Sequence, residues 1–282
     1  QSWMRVDFSR GAITAAAPAY VVPLAFRFDG QALSLSLTLI GVLLFVGLAS
    51  TSRGLGRTEA ASKLILVTGG VAACSAGNLF TVAVAWGLLD GALLGLTMAR
   101  PPEKGIRRAG RQAFVRLCAT ISLLVGAALV AAKEGSADLS QLPIGGGTVS
   151  WLALAVVLRL GVYPLPGRPR VRWEGYLACL CAGASLLLRI ASLSSWSAVP
   201  LDGALVAGGI LLLATGVLAA LAPNTDLAMG YLLAQGNVLV VLNGLVAGTG
   251  GLASSLAMVM SLGLALGLFR IGRLLERSGG GS

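Results

Sequence analysis

Two charges stand where this chain is otherwise apolar. Arg159 lies in the run Trp151-Leu-Ala-Leu-Ala-Val-Val-Leu-Arg159-Leu-Gly-Val-Tyr-Pro164, and Asp90 in Phe80-Thr-Val-Ala-Val-Ala-Trp-Gly-Leu-Leu-Asp90-Gly-Ala-Leu-Leu-Gly. A guanidinium at the centre of a membrane helix costs about 2.5 kcal/mol on insertion scales and above ~10 in simulation. It is kept only where something pairs with it or uses it. Arginine stays protonated in proteins, so Arg159 offers fixed-charge chemistry: it orders water, biases a neighbouring acid or binds an anion. A carboxylate can exchange a proton. Alone in hydrocarbon it is held neutral, bonded to a backbone carbonyl; facing a guanidinium it is held ionised. The pattern predicts that Asp90 and Arg159 pair, directly or through water. The competing reading is an Arg159 stem that reaches an interface.

Arg159 is followed by Gly161, Pro164 and Pro166. Proline removes a backbone donor and strains the preceding turn, so the helix should kink or break over 159–166. A broken helix beside a charge is how transporters build ion sites. Arg189 ends the run Leu186-Leu-Leu-Arg189. It falls near an expected membrane surface, where snorkelling and function compete. A later span carries Gln235, Asn237 and Asn243 and is entered through Asn224-Thr-Asp226. Amides commonly link membrane helices by hydrogen bonds; the sharper reading is a water-lined half-channel. Asp90, Arg159, Arg189, Asp226, Gln235, Asn237 and Asn243 are therefore the ion-pathway candidates.

The elements that must position these side chains are membrane helices. Of the 282 residues, 56% are hydrophobic and 11% charged; a soluble domain has about 25% charged residues. Mean hydropathy is +0.86. The 39 glycines fit packed transmembrane helices, where small residues let backbones approach. An all-α polytopic bundle of nine spans is expected, at about 33–50, 62–79, 81–99, 113–132, 150–166, 175–193, 202–221, 228–247 and 252–270. Residues 1–30 read as a peripheral segment, 31–272 as the transmembrane domain and 273–282 as a flexible tail.

Net charge is +10. The basic residues sit in short links: Arg53, Arg57 and Lys63; Arg100, Lys104, Arg107, Arg108, Arg111 and Arg116; Arg168, Arg170 and Arg172; Arg270, Arg273 and Arg277. The alternate links (133–142, 193–201 and 248–251) are nearly free of them. This is a topology signal rather than a nucleic-acid footprint, and it puts the C-terminus in the cytoplasm. The chain has no histidine, which argues against haem and most zinc or copper sites. Cys74, Cys118, Cys179 and Cys181 read as small buried side chains. No cofactor is expected.

The motifs, taken in order, resemble one family: the antiporter-like proton-translocating subunits of respiratory complex I, membrane-bound hydrogenases and multi-subunit cation/proton antiporters. Asn78-Leu-Phe ahead of Trp86-Gly87 is similar to the family's Trp-Glu helix. Arg107-Arg-Ala-Gly-Arg-Gln-Ala-Phe114 resembles its basic link, and Arg159-Leu-Gly-Val-Tyr-Pro164 its broken Lys-Ser-Ala-Gln-x-Pro helix. Leu186-Leu-Leu-Arg189 resembles the arginine-ended helix, Asp226-Leu-Ala-Met-Gly-Tyr231 the Asp-Leu-Lys-Arg segment, and Asp29-Gly the family's Asp-Gly-Leu. The likeness spans roughly 26–250. The departures are specific. Gly87 stands at the family's glutamate, with Asp90 one turn on as its substitute. Arg159 stands at the central lysine, and Ala228 or Met229 at the next lysine. Nine spans are also fewer than the family's usual complement.

The resemblance implies an integral membrane subunit of a larger redox-driven ion-translocating complex, with other integral subunits and lipid as partners. A bacterial or organellar inner membrane is the implied setting. The subunit itself does no covalent chemistry. A buried lysine can lower its pKa and cycle protons, whereas arginine cannot. The substitutions therefore point to a mainly structural subunit with an impaired or altered relay. Two alternatives stay open: an active cation/proton-conducting subunit that uses Asp90, and a stand-alone secondary transporter that binds an anion at Arg159.

Overall fold

The computed structural model describes residues 57–98, 106–139, 147–162, 173–193, 201–245 and 249–279. Within them the chain is all helical: α1 (Arg57–Ser75), α2 (Leu79–Met98), α3 (Ile106–Glu134), α4 (Gly147–Arg159), α5 (Trp173–Leu193), α6 (Leu201–Ala220), α7 (Thr225–Leu245) and α8 (Thr249–Gly279).

Among the described residues three stretches are long and apolar enough to cross a membrane: Leu79–Thr97 in α2, Gln112–Glu134 in α3 and Thr225–Leu245 in α7. The chain is an integral membrane protein on that ground. The expectation of nine crossings is not supported. The span at 33–50 and the peripheral segment at 1–30 lie outside the described residues. Four further apolar helical stretches, Thr148–Arg159, Gly175–Ala191, Leu205–Ala220 and Ser254–Phe269, are shorter. The fifth expected span is the clearest correction. Its helix ends at Arg159 after 13 residues, about 20 Å at 1.5 Å per residue, against a hydrocarbon core of ~30 Å. The last helix continues to Gly279, so the flexible tail expected from 273 is helical over most of its length.

Helix α5 is the hub. It packs against α1, α2, α4, α7 and α8, and from Gly175 to Ala191 every residue except Tyr176 and Arg189 is buried. A helix buried all round must be apolar all round. This one also needs small residues, because its neighbours press close. A Cβ added to Gly183 would meet Leu160 Cδ2 at 2.8 Å. The outward faces are apolar instead: Val206, Ile210, Leu213 and Val217 of α6 are all exposed. That is what lipid or other membrane helices require.

The α1–α2 connection takes only Ala76, Gly77 and Asn78. Asn78 caps α2: its Oδ1 accepts from the Thr81 amide at 2.7 Å and from the Thr81 hydroxyl at 2.8 Å, satisfying a donor that the first turn leaves open. The connection is also stitched to the link after α3. The Leu79 amide donates to the Ala137 carbonyl at 3.0 Å, and the Leu139 amide to the Gly77 carbonyl at 2.9 Å. Two links that lack the basic residues thus share one end of the bundle.

Candidate functional site

The end of α4 is built by backbone chemistry before any charge is considered. The Gly161 amide donates to the Leu158 carbonyl at 3.2 Å and the Val162 amide to the Val157 carbonyl at 3.0 Å. These paired bonds form a Schellman motif, which needs a left-handed residue just past the helix. Gly161 supplies it, with φ of 71°. The helix therefore stops at Arg159 because of Gly161. Pro164 and Pro166 lie outside the described residues.

Stopping the helix there puts Arg159 at a terminus deep in the bundle rather than in mid-span. The residue is 3% exposed. Its Nη1 donates to Asp90 Oδ1 at 2.7 Å, within the range of a strong charge-assisted hydrogen bond. Its Nη2 approaches the Trp86 carbonyl at 3.4 Å, and its Cζ lies 4.8 Å from the centroid of the Trp86 ring, within reach of a cation–π contact. Trp86 and Asp90 sit four residues apart on α2, so one face of that helix supplies both the anion and the aromatic partner. From α3, the Thr120 hydroxyl donates to Asp90 Oδ2 at 3.3 Å. The Arg159 side chain is wholly buried, while that of Asp90 keeps 23% exposure. Arg159 Nε and Trp86 Nε1 are buried and have no hydrogen-bond partner among the described residues.

A second polar group holds the residue next to Arg159. The Leu160 carbonyl, one of those a helix end leaves without an intrahelical donor, accepts from Asn237 Nδ2 at 2.5 Å. Asn237 Oδ1 in turn accepts from the Tyr176 hydroxyl at 2.5 Å, which also approaches the Leu233 carbonyl at 3.0 Å. Helices α4, α5 and α7 are joined at this point.

The other candidates lie elsewhere. Arg189 neither snorkels nor joins the pair. It reaches the end of α1, where Nη2 donates to the Cys74 carbonyl at 2.6 Å and Nη1 to the Ala76 carbonyl. A cation at a helix C-terminus satisfies open carbonyls and opposes the helix dipole. Asp226 is exposed in the first turn of α7, a position that favours an anion but lies outside the bundle interior. Beside it, Asn224 Oδ1 accepts from the Leu227 amide at 2.9 Å as the cap. Gln235 turns toward α6, its Nε2 lying 3.5 Å from where a Gly216 Cβ would be. Asn243 is half-buried further along α7. Gln235 and Asn237 of α7 therefore face different neighbours. Gly87 is exposed, with nothing within 4 Å of a Cβ placed there. Asp90 rather than position 87 faces Arg159.

Sequence reasoning missed Tyr176 and Thr120. A single tyrosine in the small-residue helix α5 was the available signal for the first. An isolated threonine in α3 gives none. Cys74, Cys179 and Cys181 are buried, as expected, and Cys118 is half-buried.

Comparison with known proteins adds a fold. No family model matches the sequence, and no curated protein matches it. Among solved structures, the chain is similar to one in the structure of the Mrp complex from Dietzia sp. DQ12-45-1b, with a TM-score of 0.73 and 19% identity over 84% of this chain. That match covers 29% of the other chain, so this chain spans less than a third of its length. The helical arrangement described above is therefore shared with a chain of the Mrp complex.

Proposed function

We propose that the chain is an antiporter-like integral membrane subunit of a larger ion-translocating complex, in which Asp90 and Arg159 form a fixed charge lock rather than a proton relay. One observation carries this reading: Arg159, at the end of a broken helix, is ion-paired at 2.7 Å with an aspartate on the neighbouring tryptophan-bearing helix. The motif resemblance puts the family's lysine and its glutamate partner at or one turn from these places. The fold shared with the Mrp complex chain supports the same assignment.

The chemistry of the two residues sets the role. A relay needs a group that gives up and regains a proton, and the guanidinium does neither. What a permanent cation does in hydrocarbon is hold an anion. Here it ties α2 to α4 and, through Thr120, places α3 beside them. The lock seals the bundle where α4 stops short. Other integral subunits and lipid would cover the apolar outer faces, and the basic links would lie on the cytoplasmic side of a bacterial or organellar inner membrane. The parent complex, not this subunit, would do any redox chemistry.

A second reading has its own observation. The Asp90 side chain keeps 23% exposure, and among the described residues Oδ2 is held by the 3.3 Å contact with Thr120. That oxygen is open enough to take a proton, which favours a conducting subunit. The substitution Asp90→Asn in the assembled complex separates the two. A lock loses assembled complex but keeps ion flux per complex. A relay loses flux while assembly survives. Purification in mild detergent tests both against a stand-alone anion transporter, which would come away without companion subunits.

A further inference from the structure

We infer that Tyr176 and Asn237 are positioning residues for Arg159, acting on it through the backbone of Leu160; the inference rests on the Asp90–Arg159 pair being the working centre of the subunit. A helix that ends inside a bundle leaves its last carbonyls without donors. The Schellman bonds at Gly161 use the carbonyls of Val157 and Leu158. Among the described residues the Leu160 carbonyl is met from outside, by Asn237 Nδ2 at 2.5 Å.

A primary amide turns about its last bond, and the Leu160 carbonyl, an acceptor only, takes its NH₂ end. Tyr176 holds the other end. Its hydroxyl donates to Asn237 Oδ1 at 2.5 Å, so both ends of the amide are engaged and its plane is fixed against Leu160. Asn237 is 4% exposed, so water does not readily replace either bond. The Leu160 side chain is fixed as well, against Gly183 of α5, where an added Cβ would lie 2.8 Å from Leu160 Cδ2 and 3.5 Å from Arg159 Cγ. Residue 160 is thus clamped at its carbonyl and its side chain, and Arg159 is the next residue back. A buried amide network is worth most when each member is satisfied, and here each tie depends on the one before it.

The readout is Trp86, whose ring lies under the Arg159 guanidinium. The complex is labelled with 5-fluorotryptophan, and the Trp86 fluorine resonance is assigned by its loss in Trp86→Phe. Tyr176→Phe keeps the ring and removes only the hydroxyl; Asn237→Leu removes both ties. Asn224→Ala, which deletes the exposed cap of the same helix α7, is the control for general loosening. The inference expects the Trp86 resonance to shift or split in Tyr176→Phe and Asn237→Leu, and to stay in place in Asn224→Ala. Should Asn237→Leu fail to assemble, Tyr176→Phe alone decides. A Trp86 signal unchanged in Tyr176→Phe overturns the inference. So does a signal that moves equally in the control. A Trp86 shift found together with companion-free purification keeps the positioning role and discards the subunit reading, so the two failures are told apart.

Discussion

Arg159 donates to Asp90 across 2.7 Å between α4 and α2, at the point where α4 stops. The helix end and the ion pair are one construction. Gly161 ends the helix, ending the helix sets the guanidinium against α2, and Asp90 with the Trp86 ring receives it. The energetic consequence is asymmetric. Removing both charges costs little if the volume is kept, whereas removing one strands the other in a low-dielectric site.

Arg159→Leu is therefore expected to destabilise the protein by about 3–5 kcal/mol, and Arg159→Leu combined with Asp90→Leu to recover much of that loss. Thermal melting in detergent, followed by helical circular dichroism, checks the pair of variants. Additive losses would mean that the two side chains do not depend on each other.

Gly161→Ala forces a side chain into the left-handed region, at a cost of about 1–2 kcal/mol. Gly183→Ala adds a methyl where Leu160 already sits, and overpacking of this kind costs about 1–3 kcal/mol. Both are expected to lower the melting temperature. An equivalent change at Gly110 of α3, with open space around it, should be neutral or slightly favourable, since alanine is the better helix former.

Arg189→Met keeps most of the stem and removes the donors to the Cys74 and Ala76 carbonyls. The loss is expected to be about 1–3 kcal/mol, the usual penalty for stranding buried acceptors. Hydrogen exchange should rise at the α1–α2 connection and stay unchanged at α7. No change at Gly77–Leu79 would show that the Arg189 contacts do not hold that end of α1.

The parts of this arrangement that were legible in the sequence were those carried by rarity. A charge in an apolar run is costly enough to announce itself, which is why Asp90 and Arg159 could be matched from their places in the chain alone, and the following Gly161 marked the break. Span number was not legible. Hydropathy over 150–166 reads as one crossing, yet the helix ends at Arg159 because a left-handed glycine outweighs continued apolar character. The role of Arg189 was hidden for another reason. Its partners are backbone carbonyls at the end of α1, and no side-chain pattern records where another helix stops. The Tyr176–Asn237 tie was half visible, since an amide in a membrane helix predicts a partner but does not name it. Of the amides Gln235, Asn237 and Asn243, read from the sequence as helix links or a half-channel, Asn237 joins the site through the Leu160 carbonyl.

The most direct test of the lock is ion flux per assembled complex in membrane vesicles, compared between the natural chain and Asp90→Asn, with complex content measured in the same vesicles. Less assembled complex is expected, with the same flux through each one that forms. Normal assembly with flux abolished would contradict the lock and make Asp90 a proton carrier.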